Sequence, residues 1–137
     1  YETIYRLKQD FPDLEIIING GIETLEDAET HLARVDGVMI GRAAYHNPWM
    51  LADADRRLFG DENPVKSRAE AVEAMIPYLE AYLQEDGGKA SHVTRHMLGL
   101  FNGRPGARKW RRSLSENAVR RDANAGLLEE ALQHVAG

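Results

Sequence analysis

From Glu15 to Arg42 the chain reads EIIINGGIETLEDAETHLARVDGVMIGR, two short apolar runs closed by glycine on either side of a stretch with helical spacing. Glu15 to Asn19 carries a continuous β-branched run, which suits a buried parallel strand better than an alternating edge strand. Gly20-Gly21 ends it. Thr24 and Asp27 stand in the T-x-x-D spacing of a helix start, and Leu25, Ala28, His31 and Leu32 recur at helical intervals to about Arg34. Asp36-Gly37 turns the chain into a second apolar strand, Val38 to Ile40, closed by Gly41-Arg42. This alternation is the unit of a parallel α/β fold with a right-handed crossover. By itself it does not separate a barrel from a doubly wound sheet.

On the N-terminal side, YETIYRLKQD reads as an amphipathic helix with Ile4 and Leu7 on one face. The chain starts without Met inside a helix-strand alternation, so a fragment of a longer protein is expected. On the other side, a helix including Trp49, Leu51 and Leu58 is expected after Arg42, and Gly60 to Pro64 reads as a linker. Beyond it the spacing is helical throughout. Ser67 and Glu70 form a capping box ahead of a stripe of Val72, Met75, Ile76, Leu79 and Leu83, in which Pro77 should kink or divide the helix. A second helix is predicted over Ser91 to Phe101. After the Asn102-Gly103-Arg104-Pro105-Gly106 turn, a third has Ala107, Trp110 and Leu114 inward, and a fourth runs from Ala125 to Ala136. The expected architecture is therefore α/β (residues 1–62) followed by an all-α helical bundle (residues 63–137).

Composition narrows the class. The 137 residues are 43% hydrophobic, with no run near the roughly 20 apolar residues of a membrane span and no signal-peptide pattern at the start. A cytoplasmic protein without membrane association is expected. There is no cysteine, which removes disulfides, a thiolate metal site and a Cys nucleophile from this chain. The net charge of −5 conceals a segregation: residues 1–88 hold 8 Lys+Arg against 18 Asp+Glu, whereas residues 89–121 hold 9 Lys+Arg against Glu116 alone. A balance of +8 within an acidic protein points to a polyanionic partner.

Asn19-Gly20-Gly21 and Gly41-Arg42 each follow a strand, one strand-helix unit apart, which places them side by side. Glycine lets backbone N–H groups approach an anion closely, and Arg42 can add a charge-assisted bond, so the pair can form a phosphate cradle. In (β/α)8 barrels such a cradle lies in the loops after the last two strands. The alternative is that these glycines only permit tight turns. In the basic segment, Arg108, Arg111, Arg112 and Ser115 are three or four apart and share a helix face opposite Ala107, Trp110 and Leu114. Arg104 in the preceding turn and Arg95 on the previous helix extend the positive field. Guanidinium groups suit phosphate and exposed bases, although a basic run can equally be a solvated face.

IINGGI, then DGVMIGRAAYHNPW, then RHMLGLFNGRPGARKWRRSLSEN resemble the A-type tRNA-dihydrouridine synthases over essentially the whole chain. The resemblance implies the last strands and helices of a (β/α)8 TIM barrel followed by a helical tRNA-binding domain. It implies an enzyme that reduces the C5–C6 bond of D-loop uridines in tRNA with FMN, itself reduced by NADPH. Asn19, Gly20, Gly21, Gly41 and Arg42 match the family's FMN-binding segments, and Arg104, Arg108, Arg111 and Arg112 fall in its tRNA-binding part, with Arg108 and Arg111 aligning with subclass-specific tRNA contacts. The family's catalytic cysteine lies on an earlier strand, so no catalytic residue is expected here and this chain alone should be inactive, requiring the remainder of the barrel.

Other candidates are weaker. No metal is expected, since His31 has no ligand partner at metal spacing and His92 and His96 lack the HExxH glutamate. Trp49 and Trp110 read as core anchors, and Tyr45 and His46 as groups near the flavin mouth. Two competing functions stay open: a flavin- or phosphate-binding barrel acting on a small metabolite, which leaves the basic helix idle, and a non-catalytic RNA-binding module, which leaves the paired glycine loops unexplained.

Overall fold

The computed structural model of the chain describes residues 1–135. Helix α1 (Glu2–Asp10) leads into strand β1 (Ile17–Asn19), helix α2 (Leu25–Leu32) and strand β2 (Gly37–Met39). The strands are parallel and adjacent, with Ile17 opposite Gly37, Ile18 opposite Val38 and Asn19 opposite Met39. Thr24 Oγ1 accepts the Asp27 N–H at 3.0 Å and starts α2 as its spacing predicted. The second strand begins at Gly37 and stops at Met39, one residue ahead of the expected Val38–Ile40 at both ends.

The sheet is covered on one face only. Ile18 is 2% exposed and packs with Tyr5, Ile22, Ala28 and Val35, whereas Ile17 is 57% and Met39 44% exposed. The expected strand buried on both sides is thus half-buried here, because side chains alternate across a strand and α1 and α2 lie against the same side. The core-facing residue of α1 is Tyr5, with Ile4 half-buried beside it, while Leu7 is exposed. The Tyr5 hydroxyl bonds to His31 Nδ1, which sets the helix rotation and satisfies the ring nitrogen of a buried histidine.

After β2 the single expected helix is replaced by three short pieces. Helix α3 (Arg42–His46) stops before Pro48, a 3-10 turn covers Pro48–Leu51, and a π-type turn covers Asp55–Phe59. Proline disfavours helical geometry in the residue before it, and Asn47 is accordingly non-helical (φ −139°, ψ 74°). Arg57 in the π turn ties this segment back to α2 through Glu26 Oε1 at 2.6 Å and Glu29 Oε2 at 2.7 Å.

Helix α4 (Arg68–Leu83) starts at Ser67, whose hydroxyl accepts the Glu70 N–H at 3.1 Å. It runs unbroken through Pro77, so the expected division does not occur, and the ring leaves one intrahelical donor missing. Helix α5 (Ala90–Thr94) is far shorter than the expected Ser91–Phe101. Beyond it the backbone continues in turns, His96 N–H donating to Val93 O and Met97 N–H to Thr94 O, and side chains reach the carbonyls there: Trp110 Nε1 donates to Met97 O at 3.1 Å and Arg68 Nε to Leu100 O at 2.9 Å. Helix α6 (Ala107–Asn117) follows Gly106, and α7 (Gly126–Leu132) closes the helical part. Residues 133–135 form turns rather than the last helical turn expected there, and Ala136, the expected end, lies outside the described residues.

A second hydrophobic cluster holds the helices together. Trp110, Phe101, Leu114, Leu128, Leu79 and Val72 are fully buried, with the Phe101 and Trp110 rings 4.7 Å apart. Trp49, which precedes the linker in sequence, packs partly buried against this cluster beneath the Arg68 guanidinium, 5.0 Å from its ring centre. Burial holds the Arg68 pKa down, and the neighbouring Arg104 charge adds to this.

Candidate functional site

The two glycine loops meet. Asn19, Gly20, Gly21, Gly41 and Arg42 all line one open cavity of about 660 Å³, with Met39 and Met50 as its apolar wall. Gly20 and Gly21 have φ of +120° and +69°, conformations that L side chains rarely adopt. A Cβ on Gly20 would meet nothing within 4 Å, so its backbone faces open space. Among the described residues the N–H groups of Gly21, Arg42 and Ala43 donate to no carbonyl in the turns or caps. The cavity is thus rimmed by backbone N–H groups and one exposed guanidinium, and a phosphate monoester fits that donor set. The Tyr1 hydroxyl donates to Gly20 O and braces the first loop from behind.

The basic residues separate into three settings. Arg104 and Arg108 line an open cavity with Lys109 and His134 at the start of α6. Arg111 is half-buried and donates through Nη1 to Asn102 Oδ1 at 3.2 Å, in a smaller cavity of about 290 Å³ shared with Tyr45, Arg95 and His96. Arg112 is spoken for: its Nε donates to Glu116 Oε1 at 2.7 Å, which raises its pKa. Three arginines on one helix and a fourth in the turn before it therefore present different chemistry. Lys109 and His134 were missed in the sequence because Lys109 lies outside the Arg108, Arg111, Arg112 and Ser115 set counted as one face, and His134 arrives from the far end of the chain.

The remaining candidates resolve individually. His46 lines both the glycine-loop cavity and the smaller one, whereas Tyr45 points to His96. His92 Nδ1 pairs with the Tyr82 hydroxyl at 2.9 Å and His96 Nδ1 with the Tyr45 hydroxyl at 3.1 Å, so the two histidines do not converge. Among the described residues no three His, Cys, Asp or Glu side chains come together in a way that could hold a metal ion, and no helix is long and apolar enough to cross a membrane.

A strand pair whose glycine loops share one cavity, joined to a helical cluster carrying exposed arginines, defines an α/β piece with a candidate anion site beside a candidate nucleic-acid surface. The dihydrouridine synthase family matches residues 1–136, and the chain belongs to that family. It is 55% identical over 135 residues to a tRNA-dihydrouridine(20/20a) synthase of Shewanella oneidensis, covering 98% of this chain and 40% of that protein. Proteins of the same description from Vibrio parahaemolyticus and Yersinia pestis are 53% and 52% identical, covering 98% and 99% of this chain and 41% and 39% of theirs. The chain spans about 40% of the length of the curated relatives it matches.

Proposed function

We propose that this chain is the C-terminal portion of an FMN-dependent tRNA-dihydrouridine synthase, with residues 1–62 completing a TIM barrel and residues 63–137 forming a helical tRNA-binding domain. The observation that carries it is the convergence of Asn19, Gly20, Gly21, Gly41 and Arg42 on one cavity in a member of this family. In this reading the backbone donors of the two loops and the Arg42 guanidinium hold the FMN phosphate. When bound, FMN, restored by NADPH, supplies the reducing chemistry that saturates the uracil C5–C6 bond.

The chain's own residues bind and orient. The Gly20-Gly21 and Gly41-Arg42 loops fix the cofactor end, while Arg104, Arg108, Arg111 and Arg112 face tRNA, with Arg112 first giving up Glu116. The names of the relatives point to uridines 20 and 20a as the substrates. A target base reaches a barrel mouth by leaving its stack, so grip on the surrounding backbone must offset the unstacking.

Activity of this chain alone with NADPH, FMN and tRNA should be nil, since it contains no cysteine to serve as proton donor. FMN titration should show weak binding here and tight binding in the full-length protein. Product formation by the isolated chain, or equal FMN affinity in both, would overturn the assignment.

A further inference from the structure

We propose that the cavity at the seam between α3 and the α5–α6 region binds one phosphodiester group of an RNA, through the Tyr45 hydroxyl and the guanidiniums of Arg95 and Arg111. This rests on the RNA-binding role proposed above and adds to it a site that joins the two parts of the chain. The cavity is about 290 Å³ and brings together Tyr45 on α3, Arg95 and His96 just after α5, Asn102 in the following turn and Arg111 on α6.

Hydrogen bonding fixes the polarity of this site. Arg95 Nε donates to His96 Nε2 at 3.1 Å. An arginine nitrogen offers only donors, so His96 Nε2 is the acceptor and the ring is the neutral tautomer with its proton on Nδ1. That proton points at the Tyr45 oxygen, 3.1 Å away, so tyrosine accepts and its own O–H is left to donate. Asn102 is occupied in a similar way, taking Arg111 Nη1 on its oxygen and giving its amide N–H to His46 O. What remains unsatisfied is a set of donors: the tyrosine O–H, the outer N–H groups of Arg95 and those of Arg111.

No carboxylate competes for them. Among the described residues every ion pair lies elsewhere, and neither Arg95 nor Arg111 takes part in one. A concave site with donors from three residues, two positive charges and no acidic lining selects an anion, and a phosphodiester offers the two acceptor oxygens that guanidinium forks engage. His46 lines both this cavity and the one at the glycine loops, so the two are neighbours. A strand held here would lie beside the proposed flavin site.

The test is tRNA binding by the full-length protein carrying Tyr45→Phe, Arg95→Gln or, as a separate reporter of the basic face, Arg108→Ala. Tyr45→Phe should weaken binding by about tenfold with the salt dependence intact, since a neutral donor to a charged acceptor is lost. Arg95→Gln should weaken binding and flatten the log affinity against log salt slope by about 0.7–0.9, one phosphate's worth. Flavin content and melting temperature should match the parent in both. If both variants bind tRNA as the parent does while Arg108→Ala binds more weakly, the seam holds no phosphodiester and the RNA-binding role stands. If all three bind as the parent does, both fall. Should Arg95→Gln fail to fold, the Tyr45→Phe affinity decides alone.

Discussion

Gly99 and Gly103 show two different reasons for a glycine. A Cβ on Gly99 would lie 2.2 Å from His46 O, so any side chain would force α3 away from the α5–α6 turns. Gly103 has open space around it but a φ of +78°. Gly99→Ala should therefore lower stability by about 1–3 kcal/mol through overpacking, and Gly103→Ala by about 1 kcal/mol through backbone strain. Asparagine separates the mechanisms, since it tolerates positive φ but not crowding. Denaturant midpoints should show Gly103→Asn close to the parent and Gly99→Asn worse than Gly99→Ala; the reverse order would contradict the contact at His46.

Among the elements, the segment from Asp53 to Asn63 is closed on itself by the Asp53 carboxylate. Asp53 receives Arg56 Nε on Oδ1 at 2.7 Å and Nη2 on Oδ2 at 2.5 Å, with Asn63 Nδ2 on Oδ1 at 2.7 Å. The Arg56 bonds, then the Asn63 bond, lower its pKa from 3.8 to about 2. A carboxyl depressed in the folded state contributes stability that is present above its unfolded pKa and lost as pH falls through the folded value. The Asp53 contribution should therefore be intact at neutral pH and disappear between about pH 4 and pH 2. A carboxyl carbon titration followed by NMR should give a midpoint near 2, moving toward 3.8 in Arg56→Ala. An unshifted midpoint in the parent would mean that the Arg56 fork is absent in solution.

At the scale of the whole molecule, the acidic first region and the basic later one pair with each other little: Arg57 is engaged with Glu26 and Glu29 inside the first, and Arg112 with Glu116 inside the second. The described ion pairs thus leave the +8 segment without acidic partners from the first region. Changing Arg108 and Arg111 together to Ala in the full-length protein should weaken tRNA binding by about 1–3 kcal/mol and flatten the salt slope, with flavin content unchanged. Trp110→Ala should act through the core instead, lowering the melting temperature by removing a fully buried ring whose loss costs about 3–5 kcal/mol. Unchanged tRNA affinity and slope in the double variant would make the basic face merely solvated.

The two strands, the Thr24 and Ser67 caps, and the inward positions of Trp110 and Leu114 were all readable along the chain. Each depends on residues within a few positions of one another, where period, capping chemistry and turn preference act locally. The adjacency of the Asn19 and Arg42 loops could be read as well, because one strand-helix-strand unit fixes which loops are neighbours. The length of α5, the choice of helices beyond the linker as the cover of Trp49, the division of the arginines among three settings and the Tyr45–His96–Arg95 seam could not. Those follow from contacts between distant segments, such as Trp110 with Met97 O and Asn102 with His46 O, in which a side chain competes for a carbonyl or a charge finds a partner that no local pattern announces.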